Sequence, residues 1–296
     1  MATVASVLGD IESYLYSLGH FRDRVATLTA PLASSGATTL SVDEFGQVTK
    51  GLVEIGDELI YVKSADTSGN ATIPAWGRGQ QGTTAAAHST GDRVRIHPNF
   101  PRSLMKRELT TAINNLFPDL WKTVVDNTAI TILSNTDVYA LPAAVESVIS
   151  VSAQVKPGYA PVDLTRFKFD RDPNPTSFPT GRTLSLYSMP PVGTALTVVY
   201  RSSFTPFVAE TDTLSSLGMN DRWADILRDM VAARLVLALE GSDIAAVTAQ
   251  AQSRAAGTPF HAVNLSKYLN QVVAQRTAEE RRKLMQENPS KIIKQY

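Results

Sequence analysis

The sequence predicts an α+β fold: a helical bundle carrying two inserted antiparallel β modules. Apolar residues recur every three or four positions near the start, in the middle and towards the end of the chain, and every second position in the two stretches between. A lone amphipathic helix cannot bury its own stripe, so the separated helical segments are expected to share one core. The 296 residues, 43% of them hydrophobic, suffice for one to three domains.

Residues 1–25 carry Val4, Val7, Leu8, Ile11, Leu15, Leu18 and Phe21 on one helical stripe. From 26 to 97 the runs LTAPLA, TTLSVD, GLVEIG, ELIYVKSA and DRVRIH change the period to two and read as a first β module. Gly56-Asp57 is its two-residue hairpin turn. Helix returns over 98–127, with Pro101 in the first turn and Leu104, Leu109, Ile113, Leu116, Leu120 and Trp121 on its apolar face. Pro118 kinks or ends it. Residues 128–207 form a second β module, interrupted by the proline-rich loop DRDPNPTSFPTG. Residues 208–288 complete the bundle with three helices. Asn220 caps the first, Gly241-Ser242-Asp243 restarts the chain into the second, and Thr258-Pro259 opens the third. Residues 289–296 are left as a tail.

Composition narrows the function. Lys plus Arg equals Asp plus Glu at 28 each, so the bulk basic excess of a DNA-coating protein is missing. The chain has no cysteine, which removes disulfides, thiolate catalysis and cysteine-bound zinc. Its histidines, His20, His88, His97 and His261, include no pair at helical metal-binding spacing. The N-terminus lacks the basic start and unbroken apolar stretch of a signal peptide, and no run approaches the ~20 apolar residues of a membrane span. A soluble chain, intracellular at synthesis and without membrane contact, is expected.

The most motif-like stretch is WGRGQQGTTAAAHSTGDRV, residues 76–94, which nearly spells the phosphate loop G-x-x-x-x-G-K-[ST]. Thr83 stands where the lysine must be, Pro74 weakens any preceding strand, and Gly91 cuts short any following helix. The stretch reads as a turn-rich corner of a β module. Thr83 or Thr84 with His88 and Asp92 lacks an acid–base partner fixed by spacing, so backbone-satisfying loop side chains are the expectation. Asp170 and Asp172 around Arg171 read as turn caps, not metal or glycosidase carboxylates. No catalytic residue, cofactor or metal is assigned. In TAEERRKLMQE, residues 277–287, Arg281, Arg282 and Lys283, with Arg276 before them, are diluted by Glu279, Glu280 and Glu287. A solvated helix is the plainer reading there, contact with DNA or a partner the sharper one. The tail differs. Ile292 and Ile293 sit between Lys291 and Lys294, with Tyr296 beyond, and read as a docking peptide.

Three stretches together resemble the head-to-tail connector (adaptor) proteins of tailed bacteriophages. The first is Gly51–Tyr61 followed by Gly77–His88, similar to a β module recurrent in phage structural proteins. The second is Phe100-Pro101-Arg102 with its helix ending in Phe117-Pro118-Asp119-Leu120-Trp121. The third is Val138–Pro142 with Leu184-Ser185-Leu186 and Val198–Arg201. The resemblance implies a non-enzymatic virion protein of the neck, assembled in the host cytoplasm. It would form a ring, dodecameric by resemblance, between the portal protein and a downstream stopper or tail protein. Genomic DNA would pass through the lumen with non-specific contact. The tail, through Lys291, Ile292, Ile293, Lys294 and Tyr296, would dock on the portal. Another tail-neck or baseplate component, or a virion-associated hydrolase, are the alternatives.

Overall fold

The computed structural model describes residues 1–17, 23–43, 48–156, 158–171, 173–250 and 261–289, with side chains described outside 238–250 and 261–263. The chain divides into two compact units, one built on residues 3–112 and 225–272, the other on residues 1–2, 113–224 and 273 onward.

The first unit opens with α1 (Val4–Ser17). Thr3 caps it, its Oγ1 accepting from the Ser6 amide at 3.1 Å while the Ser6 hydroxyl donates back to the Thr3 carbonyl. Seven strands follow: β1 (Arg24–Thr27), β2 (Thr39–Ser41), β3 (Gly51–Ile55), β4 (Glu58–Val62), β5 (Ser64–Ala65), β6 (Asn70–Thr72) and β7 (Arg93–Ile96). They form two antiparallel sheets, ordered β1-β7-β3-β4 and β2-β6-β5. The β3–β4 hairpin turns at Gly56-Asp57 as the sequence predicts, with Ile55 opposite Glu58 and Gly56 at φ +58°, a conformation cheap only for glycine. Val53, Ile55, Ile60, Val62, Val94 and Ile96 project to one face and form the centre of the module's core. The opposite face carries Glu54 beside Arg95. It is covered as well: Glu54 and Arg95 are only 2% and 7% exposed. Helix α2 (Arg102–Leu116) begins against this sheet, its first amide donating to Glu54 Oε1 and Lys106 pairing with Asp57 of the hairpin turn at 2.6 Å.

The second unit holds β8 (Lys122–Thr131), β9 (Val138–Ala140), β10 (Ser147–Ala153), β11 (Val162–Leu164), β12 (Phe167–Arg171), β13 (Arg182–Leu186) and β14 (Ala195–Ser202). Their sheets run β11-β10-β14-β8 and β12-β13-β9, all antiparallel. A single apolar core takes Val148, Val151, Leu184, Leu186, Leu196 and Val198 from the two sheets. Asn220 then accepts from the Arg222 amide, as its predicted capping role requires, and leads into α3 (Ala224–Gln250); α4 (His261–Glu287) follows.

The expected helical bundle is wrong. Among the described residues fourteen strands in four antiparallel sheets stand against four α-helices, and the sheets carry the two apolar cores. A three-to-four-residue period identifies a helix but not what covers its stripe. Here α1 and α2 are tied to a sheet, through Tyr16 on Arg95 and the α2 N-terminus on Glu54. Where α3 meets the earlier helices, long side chains make the contacts: Arg228 lies over the Tyr14 ring at 4.9 Å, and Arg234 pairs with Glu108 at 3.5 Å. Two local readings fall with the bundle. Residues 122–127 are strand, because KTVVDNT is rich in β-branched residues that pair with β14. The predicted restart at Gly241 does not occur; α3 runs through it to Gln250.

Candidate functional site

The near-phosphate-loop closes on a carboxylate of its own chain. Glu58 opens β4 on the core-facing side and is 1% exposed. Arg78 grips it in bidentate fashion, Nε to Oε1 at 2.7 Å and a terminal nitrogen to Oε2 at 2.8 Å. The amides of Gly79 and Ala86 each donate to it at 3.1 Å, and His88 Nε2 lies 2.8 Å from Oε2. The segment thus folds around an anion as a phosphate loop does, but the anion is Glu58. Gly79 is required for this. Its φ is +64°, and a Cβ there would meet the Thr83 carbonyl at 2.8 Å. Burial raises the Glu58 pKa, yet the donors from Arg78, Ala86, His88 and Gly79 outweigh it and bring the carboxyl down to about 2.

The hydroxyl and histidine chemistry weighed from sequence is consumed in the same corner. Thr83 Oγ1 accepts from the Leu59 amide at 3.0 Å and donates to the Gln80 carbonyl at 2.8 Å. His88 has a carboxylate near each ring nitrogen, Glu58 at 2.8 Å and Asp92 at 3.9 Å, and Asp92 itself accepts from the Ser89 amide. Replacing Thr83 with lysine restores the phosphate-loop spelling. The variant is expected to bind no ATP in a fluorescent-nucleotide titration and to lose about 1–3 kcal/mol of stability, because the Leu59 amide loses its acceptor. Measurable ATP affinity would overturn the reading of the loop as self-filled. Asp170 pairs with Lys168 at 2.7 Å on an exposed strand, while Asp172 lies outside the described residues. No group of acidic or histidine side chains suited to a metal occurs among the described residues.

A second buried ionic cluster, missed from sequence, centres on Arg95. It donates to Asp23, to Glu54, to the Tyr16 hydroxyl at 2.9 Å and to the Phe100 carbonyl at 3.2 Å. Burial raises the Glu54 pKa against the pull of Arg95, whereas the Asp23 pKa is lowered, hydrogen bonds from Tyr16 and Asn99 and the charge of Arg95 outweighing its burial. A charged residue within an otherwise apolar predicted strand was the available signal for both clusters. It reads as solvent-facing unless both faces of the sheet are covered.

The other unit presents open surface. A groove of about 480 Å³ lies between the loop 132–137 and the segment holding Met189, Pro190 and Val192. Leu133 and Val192 are 57% and 67% exposed on its walls. A cleft of about 370 Å³ is lined by Trp121, Lys122, Thr123, Met219, Trp223 and Leu284 among others. Beside it Glu280 is buried, accepting from Trp223 Nε1 at 3.0 Å and from Arg222. The basic run of α4 is drawn into ion pairs here: Arg281 with Asp119 at 2.9 Å and Lys283 with Glu280 at 2.6 Å. The docking residues predicted from sequence, Lys291, Ile292, Ile293, Lys294 and Tyr296, lie outside the described residues. No described helix is long and apolar enough to cross a membrane.

No curated protein matches the chain. The family model described as SU10 adaptor protein matches residues 80–282, which takes in the strand β7, all of the second β region and most of α4. Two of the three stretches that carry the resemblance to phage connectors fall wholly inside this match. Since the match spans more than half of the sequence, the chain belongs to the SU10 adaptor protein family.

Proposed function

We propose that this chain is the ring-forming adaptor between the portal and the tail, with DNA passing through the lumen and a non-enzymatic role. Family membership makes it a phage structural adaptor, a virion component that works through contacts with other head and tail proteins. That membership is the observation that carries the reading. The exposed apolar groove at Leu133 and Val192 supports it physically, since large apolar side chains on adjoining loops mark a contact surface. In this reading the β modules, residues 26–97 and 128–207, present contact surfaces and residues 289–296 form the docking tail.

The tail is the part most directly tested. Pro289 disfavours helical conformation at Asn288, and the seven residues beyond are too few to hold a helix alone. Ile292, Ile293 and Tyr296 would each contribute roughly 1.5–3 kcal/mol if fully buried on a partner, before ordering costs. Lys291 and Lys294 would quicken encounter with an acidic portal surface and make it salt-dependent. Truncation after Pro289 is expected to leave the melting temperature unchanged while abolishing portal binding and the joining of heads to tails. Wild-type portal binding by the truncated chain would sink the docking role, and a collapsed melting temperature would place the tail in the core. Negative-stain images of the chain with portal showing no closed ring would count against the ring itself.

A further inference from the structure

Among the described residues, three buried side-chain polar atoms make no hydrogen bond: Trp121 Nε1, Thr123 Oγ1 and Arg201 Nε. All three lie in one place. Thr123 and Arg201 are cross-strand partners on β8 and β14, so their side chains share a face of the sheet. Trp121 immediately precedes β8, and the Arg201 guanidinium sits 3.9 Å from the centroid of its ring. Each unpartnered atom carries a hydrogen, so the cluster is made of donors without an acceptor. No carboxylate forms an ion pair with Arg201 among the described residues. Burial lowers the Arg201 pKa, and the neighbouring positive charge of Arg281 lowers it further. Orphaned buried donors are costly, and a folded chain rarely leaves several of them concentrated at one spot without use.

We propose that this cluster receives the carboxylate of an acidic segment on a neighbouring virion protein. A planar carboxylate matches the guanidinium fork, and the indole and hydroxyl donors stand beside it. Trp121 and Thr123 also line the 370 Å³ cleft, whose apolar walls at Met219 and Leu284 suit the carbon chain of a peptide. Glu287, on the same cleft, repels a polyanion such as a nucleic-acid backbone far more than a single carboxylate. The inference rests on the adaptor reading for the nature of the partner, while the chemistry rests on the unpaired donors.

The test uses the full-length chain and a blocked peptide with one glutamate flanked by leucines, followed by calorimetry and tryptophan fluorescence. The glutamine version of the peptide and a short single-stranded DNA serve as comparisons. The glutamate peptide is expected to bind at least about tenfold more tightly than the glutamine peptide, and R201M to lose about tenfold in affinity. R201M keeps apolar contact with the Trp121 ring and removes an unpaired charge, so its melting temperature should hold or rise. Should R201M fold poorly, T123V and R201K keep the question open to measurement, and each is expected to weaken the peptide. Equal binding of the two peptides, displacement by DNA, or unweakened binding in the folded variants would each overturn the proposal. If the peptide fails to bind while heads and tails still join through the intact chain, the cluster's role falls and the adaptor reading stands.

Discussion

Replacing Arg95 with alanine is expected to destabilise the first unit by about 3–5 kcal/mol, the cost of leaving buried charges without their partner. Glu54 is 2% exposed, and the Asp23 side chain is 1% exposed on the other arm of the guanidinium. With Arg95 gone, two buried carboxylates face each other and the Tyr16 hydroxyl and Phe100 carbonyl lose a donor. The loss also depends on pH. Glu54 already sits above its ordinary pKa because of burial, and without Arg95 both carboxylates take up protons more readily. The variant's deficit should therefore be largest at neutral pH and shrink as pH falls and the unpaired carboxylates are neutralised. Urea unfolding of wild type and variant at neutral and mildly acidic pH checks this. An equal deficit at both would show that packing, not charge, holds the site.

The second large effect is expected at Glu58. Its replacement by glutamine leaves the Arg78 guanidinium, whose side chain is 5% exposed, with a neutral partner, and the expected loss is again about 3–5 kcal/mol. This deficit too should shrink as pH falls, but here because wild type loses stability in acid and not because the variant is relieved. The folded pKa of Glu58 is about 2 against an ordinary 4.5, so its ionised form binds tightly only in the fold. The stability it contributes is fully present above 4.5 and is lost as pH falls from there towards 2. Wild type should lose stability across that window, and E58Q should start lower and lose less. Parallel acid titrations followed by near-ultraviolet circular dichroism measure the difference. Matching curves would mean that the turn-rich loop does not depend on the carboxylate.

Much of the local structure was legible in the sequence because it is decided locally. Gly56 marks the hairpin through its positive φ, and Asn220 supplies its capping oxygen whatever lies around it. Neither needs knowledge of the rest of the chain. The bundle was misread because amphipathic stripes say that a helix is covered and not by what. Glu54, Glu58 and Arg95 were not singled out, for a related reason. In GLVEI and RVRI a charged side chain on one face of the strand signals an open sheet face, and here both faces are closed. The loop at Gly77–His88 was denied a nucleotide on its missing lysine, but the group its donors hold comes from Glu58, twenty residues before Arg78, and only the fold brings them together. The Trp121, Thr123 and Arg201 cluster was out of reach for the same reason, since Arg201 joins the other two by strand register.

Strand β8 is the last in its sheet, and ten residues of edge would ordinarily offer a template on which another chain can add. Its pairing with β14 is broken part-way along. The ladder holds from Lys122 to Asp126, jumps, and resumes at Ile130. Asp126 fixes the kink, its Oδ1 accepting from the Thr128 and Ala129 amides. The longer straight run is thereby cut to five residues, below the six or seven from which stacked fibrous sheets are commonly built. A straight edge would let one copy of the chain add to another, and one aspartate, by turning its own strand aside, removes the easiest route to clumping.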